Sequence, residues 1–419
     1  MKKPALVCIA LTLTIAAGCG GSGSDSGRDV VLWHGNVDAE REATDTGVAN
    51  FNATKPGFKV EARYAGSSDN ALQKVLTSIS ANNFPDVVYL YGSWAPNIAK
   101  SPKLATVEDL VNDPAFNWED FYPAERKAVT VSGKVVGVPA LQDDLALIYN
   151  KQLLADAGVP EPTPDWTWTD FRNAAKRLTD AGQKRYGWAY IADGTEDTVW
   201  RFIAMLWQAD GDLLSPDGKH AAFNSAAGVK AGELLRQMAV DDKSVYLDQG
   251  DGKYAQLFNS GHIAMMWTGP WELATMNKDI DYGVQILPGD VTHASISGPD
   301  MWAVLNRGPN HVKSSFQFLK WYTSPKVHMR YALHTGVLPI RKSETKLPEY
   351  KQYLKRYPAA QTFVDNLQNV TKSRPAIPEY PEISKALGQA VQAILLGKQD
   401  PKAALDAAAQ QADSALAGG

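Results

Sequence analysis

Cysteine is nearly missing from this chain: two in 419 residues, at Cys8 and Cys19. Cys8 lies in an N-terminal apolar stretch of the kind removed with a secretory signal. Its loss leaves Cys19 with no disulfide partner and no neighbours for a cysteine metal cluster. The seven histidines are scattered, with no His-Glu-x-x-His or other ligand spacing, so no metal is expected. There is no Gly-x-Ser-x-Gly nucleophile elbow and no phosphate-cradling P-loop. Basic excess is absent too. Lys and Arg number 42 against 46 Asp and Glu, and losing Lys2 and Lys3 leaves 40 against 46. A nucleic-acid binder would carry a basic face. Beyond the N-terminus no window offers the ~18 continuous apolar residues of a membrane-spanning helix, so the body reads as soluble.

The N-terminus itself carries a signal. Lys2 and Lys3 precede an apolar run from about Pro4 to Ala17, too short to span a bilayer, which ends in Ala16-Ala17-Gly18-Cys19-Gly20. A basic start, an apolar stretch and small residues mark a secretory signal over residues 1–18. The cysteine directly behind them resembles the lipobox of bacterial lipoproteins, which implies lipidation at Cys19. Residues 20–27, rich in Gly and Ser, read as a flexible tether. The expected localisation is the outer face of the bacterial cytoplasmic membrane, where acyl chains supply the anchoring free energy.

The body is too long for one ordinary core, so two lobes are expected. Strand, helix, strand, helix, strand is the reading of Val30–Trp33, a helix to the mid-50s capped by Asn36 or Asp38, Phe58–Tyr64, Asn70–Ala81 and Val87–Tyr91. In the second helix Leu72, Val75, Leu76 and Ile79 fall on one face. That order implies a mostly parallel sheet flanked by helices. Further on, strands are read at Leu145–Tyr149, Ile263–Trp267, Tyr282–Leu287 and Met301–Leu305. Helices are read after Asn150 and at Asp170–Ala181, Trp200–Gln208, Val229–Ala239, Tyr254–Ser260, Val312–Thr323, Pro325–His334 and Tyr350–Tyr357. Asp400-Pro401 is a good start for a last helix.

Four segments, in order, carry a resemblance. Gly137-Val138-Pro139 followed by Leu145 to Lys151, Gly261 to Trp271, Tyr282-Gly283-Val284 with Leu287-Pro288-Gly289, and His334 to Pro339 are similar to extracellular solute-binding proteins of ABC importers. That group includes maltose-binding and glycerophosphodiester-binding proteins. The resemblance implies an α/β fold of two lobes, each a mostly parallel sheet flanked by helices, with a helical C-terminal region and the ligand in the cleft between lobes. Both lobes would be discontinuous: 29–142 plus 301–338, and 143–300 plus 339–419. The chain would cross near Leu141 to Leu145, near Ser295 to Trp302 and after about Leu338. It also implies a monomer that delivers its ligand to permease subunits, without cofactor or turnover.

Candidate ligand contacts follow. Asp143 and Asp144 sit at the first crossing, where a carboxylate can accept two hydrogen bonds from neighbouring hydroxyls. Successive side chains of an extended chain point opposite ways, and the resemblance favours Asp143. A solvated charge at a lobe edge is the alternative for each. Trp271, after Gly269-Pro270, is the stacking candidate, since the C–H face of a sugar lies well on an aromatic plane. Trp267 fits either the cleft or the core. Ser93 and Trp94 follow the third strand, where strand ends meet a crevice. Trp200 and Trp207, seven apart, read as core. Asn36 suits a hydroxyl or a helix cap. Gly298, in Ser297-Gly298-Pro299-Asp300, lets backbone approach a ligand, with Asp300 beside it. Arg374 reaches the cleft or pairs at the surface. The function expected is capture of a carbohydrate, with an oligosaccharide favoured by the aromatic count of 12 Trp and 16 Tyr. A glycerophosphodiester such as glycerophosphocholine is the alternative on the same fold. A secreted glycoside hydrolase is the remote one, because adjacent Asp143 and Asp144 cannot face one bond from both sides.

Overall fold

A computed structural model describes residues 27–250 and 252–418. The signal, Cys19 and most of the tether lie outside the described residues. Among the described residues twelve strands occur in chain order: β1 Val30–His34, β2 Val60–Tyr64, β3 Val87–Tyr91, β4 Thr130–Val131, β5 Lys134–Val135, β6 Val138–Leu141, β7 Ala146–Asn150, β8 Tyr186–Ile191, β9 Val245–Asp248, β10 Ile263–Thr268, β11 Tyr282–Gln285 and β12 Asp300–Val304. They form two five-stranded sheets, β2-β1-β3-β12-β6 and β11-β7-β10-β8-β9, and a small β4-β5 hairpin. In the first sheet β1 runs parallel to β2 and β3, and β12 enters antiparallel to β3 and β6. In the second, β8, β9 and β10 are parallel, while β7 is antiparallel to β10 and β11.

The apolar strands are buried because helices cover both faces. Helix Asp38–Ala53 packs against the first sheet through Val48 and Phe51, which join Leu32, Val87 and Phe318 in one core. Leu72 and Val75 of Ala71–Ser80 cover the other face with Val88 and Leu90. In the second lobe, helix Glu196–Gln208 is buried along most of its length and packs against Tyr380–Leu395, which packs in turn on Pro401–Gly418. The 380–395 helix was not read from the sequence, although Ile383, Leu387, Val391 and Ile394 all face the core. Strands β8 and β9 were also missed.

Local chemistry sets several boundaries. Thr167 caps Trp168–Leu178 through a capping box with Asp170, which starts this helix two residues earlier than read. Asn150 Oδ1 accepts from Leu153 N at 3.0 Å and starts Lys151–Asp156. The cap expected of Asn36 or Asp38 is not formed. Val37 holds the cap position, and Asn36 Nδ2 donates to Thr44 Oγ1 at 3.0 Å and Tyr331 OH at 3.4 Å.

The chain passes from the first sheet to the second between β6 and β7 and returns between β11 and β12. The third crossing comes later than Leu338. Leu338 N donates to Gln142 O, but Ile340 then enters the first lobe's core. The Arg341 guanidinium donates to Phe116 O, Asn117 O and Thr323 O, and Ser343 bonds Asp120. Burying a guanidinium requires saturating its donors, and those acceptors belong to the first lobe. Helix Pro325–Thr335 serves both lobes: it packs on Asp38–Ala53, while Met329 and Ala332 join Ile148, Ala189 and Met266 of the second.

Candidate ligand-binding cleft

A cleft of about 810 Å³ lies between the two sheets, at the upper end of the range typical of small-molecule sites, about 300–1,000 Å³. The first lobe lines it with the start of helix Asp38–Ala53, Tyr64, Asp69, Tyr89 and Tyr91. The second contributes Glu196, Asp197, Trp200, Tyr254, Trp271 and Glu272. The crossings bring Asp143, Gly298 and Asp300 to its floor, and Arg374 arrives from the C-terminal region.

The floor is a connected set. Gly298 N donates to Asp143 Oδ1 at 2.6 Å, leaving Oδ2 free. A Cβ on Gly298 would stand 3.2 Å from that oxygen and 3.4 Å from both Arg374 and Trp200, so the glycine permits a close approach. Trp200 lies against Trp271 with centroids 5.8 Å apart and planes tilted by 32°. Tyr89 OH donates to Asp300 Oδ2. The Arg374 guanidinium pairs with Glu196 Oε1 at 2.7 Å, and Glu196 also accepts from Tyr380 OH and Ser384.

Carboxylates dominate the lining. The first lobe supplies Asp38, Glu40, Asp69 and Asp300; Asp143, Glu196, Asp197 and Glu272 complete the set. Among the described residues Arg374 is the one cation that lines the cleft. Burial pushes Asp143 up to about 7, against the pull of the Gly298 amide and the Arg374 guanidinium. Glu40 is pushed up to about 8 by burial and by Asp143, Glu272 and Asp38. Asp69 rises to about 7 through burial and the facing Asp197. Asp300 is raised by burial and by Asp143.

The sequence profile of bacterial extracellular solute-binding proteins matches residues 47–361, three quarters of the chain. The chain belongs to this family. The sn-glycerol-3-phosphate-binding periplasmic protein of Yersinia pseudotuberculosis is 22% identical to this solute-binding protein, over 98% of this chain and 96% of that one. An ABC transporter solute-binding protein from Thermotoga lettingae, bound with α-D-tagatose, superposes with a TM-score of 0.82 at 26% identity, covering 93% of this chain and 100% of that one. The cyclic α-maltosyl-1,6-maltose-binding protein of Arthrobacter globiformis gives 0.75 at 25%, covering 93% and 99%.

Of the residues proposed from sequence, this solute-binding protein brings Asn36, Asp143, Trp271, Gly298, Asp300 and Arg374 to the cleft. Four others stand elsewhere. Trp267 packs in the core against Phe171 and Trp188, because β10 turns it toward the helix side of the sheet. Trp94 is buried with Tyr91 and Ile98 in the first lobe. Ser93 lies in the same buried turn. Asp144 points away from Asp143, as strand alternation requires, and accepts from Asn366 Nδ2 at 2.6 Å. Two roles also change. The Gly298 N–H donates to Asp143, so it orients a carboxylate. Trp200, read as core, lines the cleft and backs Trp271, while Trp207 is core as read.

Sequence reading missed Glu40, Asp69, Glu196 and Glu272. Glu40 and Glu196 sit in the first turns of their helices, where an acid is explained by the helix dipole alone. Tyr254, which donates to Glu272 Oε1 at 2.7 Å, carried no signal of its own.

Proposed function

We propose that this solute-binding protein captures a carbohydrate between its lobes and hands it to the permease of an ABC importer. The observation that carries this reading is the pairing of an aromatic wall, Trp200 and Trp271, with a floor of hydrogen-bond acceptors centred on Asp143. A sugar offers an apolar ring face and a rim of hydroxyl donors, and the cleft answers both. The volume suits more than one ring, which favours an oligosaccharide. The tagatose complex of one structural relative, and the cyclic α-maltosyl-1,6-maltose for which the other is named, support the same class. A phosphate-bearing ligand such as glycerol 3-phosphate fits poorly, because the lining's one guanidinium is already paired with Glu196. The protein would act as a monomer, held at the outer face of the membrane through a lipid on Cys19.

A thermal-shift screen of the purified protein tests this against mono- and oligosaccharides, with glycerophosphocholine and glycerol 3-phosphate included. A ligand that binds only the folded state raises the melting temperature. A sugar is expected to do so; shifts confined to the phosphate compounds would overturn the reading. Intact-mass analysis checks the anchor: acyl mass on Cys19 is expected, and secretion of an unmodified chain would refute it.

A further inference from the structure

The charge balance of the cleft says more about the ligand than its shape does. Eight carboxylates line it, and two are compensated: Glu196 by Arg374, and Asp197 by Arg201, whose guanidinium lies at 2.6 Å behind the wall. Helix N-termini at Asp38 and Glu196 offset part of the remainder, each with about half a charge. Glu40, Asp143 and Asp300 have no cation bonded to them. All three line the same cleft, where Glu40 and Asp143 raise Asp300 and Asp143 raises Glu40. Asn36, 97% buried, has spent its amide donor on Thr44 and Tyr331 and leaves Oδ1 without a partner. Asp143 Oδ2 is free as well. The floor therefore holds unfilled acceptors, and near neutral pH the protons on Glu40 and Asp143 are what balances its charge. Among the described residues no three acids or histidines gather as a metal site does.

We propose that the cleft selects a saccharide bearing a protonated amine, seated among Glu40, Asp143 and Asp300 with its ring on Trp271. This rests on the carbohydrate reading above and narrows it. A neutral sugar entering the cleft strips water from these acids and returns only hydroxyl donors. An ammonium group supplies three donors and the charge that burial otherwise opposes. Its attraction to the floor is strengthened where the closing lobes exclude water. An adjacent aromatic face also favours a cation. Acidic side chains in neutral-sugar sites need no such concentration, since one carboxylate already accepts a pair of hydroxyls.

The test is a matched panel on the purified full chain. Glucosamine, galactosamine and mannosamine, and glucosamine oligomers of two to four rings, are each compared by calorimetry with their N-acetyl and hydroxyl counterparts. The amine form of at least one skeleton is expected to bind about tenfold or more tighter than both counterparts, a difference of about 1.4 kcal/mol. Glu40→Gln, which removes charge at nearly constant shape, is expected to reduce that preference about threefold or more. Binding of neutral sugars alone, equal affinity within each matched set, or a preference unchanged in Glu40→Gln would overturn the inference and leave the carbohydrate reading standing. Binding of none of the sugars, or of glycerophosphocholine only, would overturn both.

Discussion

Trp271 and Asp143 were legible at the scale of single residues because each stands inside a segment whose pattern extends beyond it. The acids of the cleft were not, because an acid in a helix's first turn already has a sufficient local explanation. Trp271 is half-buried and leans on Trp200, so truncating it removes a ligand face and little of the core. Trp271→Ala is expected to weaken sugar binding by about 1.5–3 kcal/mol, roughly 10- to 150-fold, measured by calorimetry. Asp143→Ala is expected to abolish most of the ligand's thermal shift; a full shift in either variant would refute the site. The acids also set a pH dependence. Glu40, at about 8, and Asp69 and Asp143, at about 7, hold protons in the folded state that the unfolded chain has lost by about pH 4–5. A raised carboxyl thus favours folding at low pH, and that contribution is lost as pH rises through the folded value. Stability of the unliganded protein is expected to fall between about pH 5 and 8 in urea titrations, with a shallower fall in Glu40→Gln.

Elements were legible where the apolar period was clean, as in Ala71–Ser80, or where a capping residue stood at the start, as Asn150 does for Lys151–Asp156. The sequence reading stopped short at strands such as Tyr186–Ile191, a continuous buried run whose lack of alternation does not separate strand from helix, and in the C-terminal helices. Those helices reach back to the hinge. Asn366, at the end of Ala360–Asn366, donates to Asp144 Oδ2 at 2.6 Å and Leu145 O at 2.8 Å, and its own Oδ1 accepts from Asn369. Asn369 O in turn accepts from Ser295 N, so both crossings are clasped by one short segment. Burial pushes Asp144 well up, and the Asn366 amide is what pulls it back. Asn366→Ala leaves that buried carboxyl short of a donor and is expected to cost about 3 kcal/mol in urea unfolding. A cost under about 1 kcal/mol would show that water replaces the amide. Thr167→Ala, which removes one capping box far from the hinge, is expected to cost about 1 kcal/mol and leave ligand affinity unchanged.

The balance between open and closed lobes is a property of the whole molecule. Asn97 Nδ2 donates to Pro378 O at 2.8 Å and joins the first lobe to the C-terminal region. Against it stands like charge. Asp69 of the first lobe faces Asp193, Glu196 and Asp197 of the second, and their repulsion helps to hold its carboxyl at about 7. At neutral pH part of the population carries that charge, and separating the lobes relieves it. A ligand that touches both lobes would shift such a balance toward the closed form. Asp69→Asn keeps the side chain's size and removes the charge. The variant is expected to populate the closed form without ligand. In small-angle scattering its radius of gyration would lie below that of the native protein at pH 8 and would change less on adding sugar. Its affinity would rise by the fraction of closed form gained, since the binding-competent state no longer has to be drawn from a minor population. The same compaction should appear in the native protein as pH falls from 8 to 5.5 and Asp69 takes up its proton. A radius insensitive to both the substitution and the pH would mean that the hinge, and not the acids at the mouth, sets the open state.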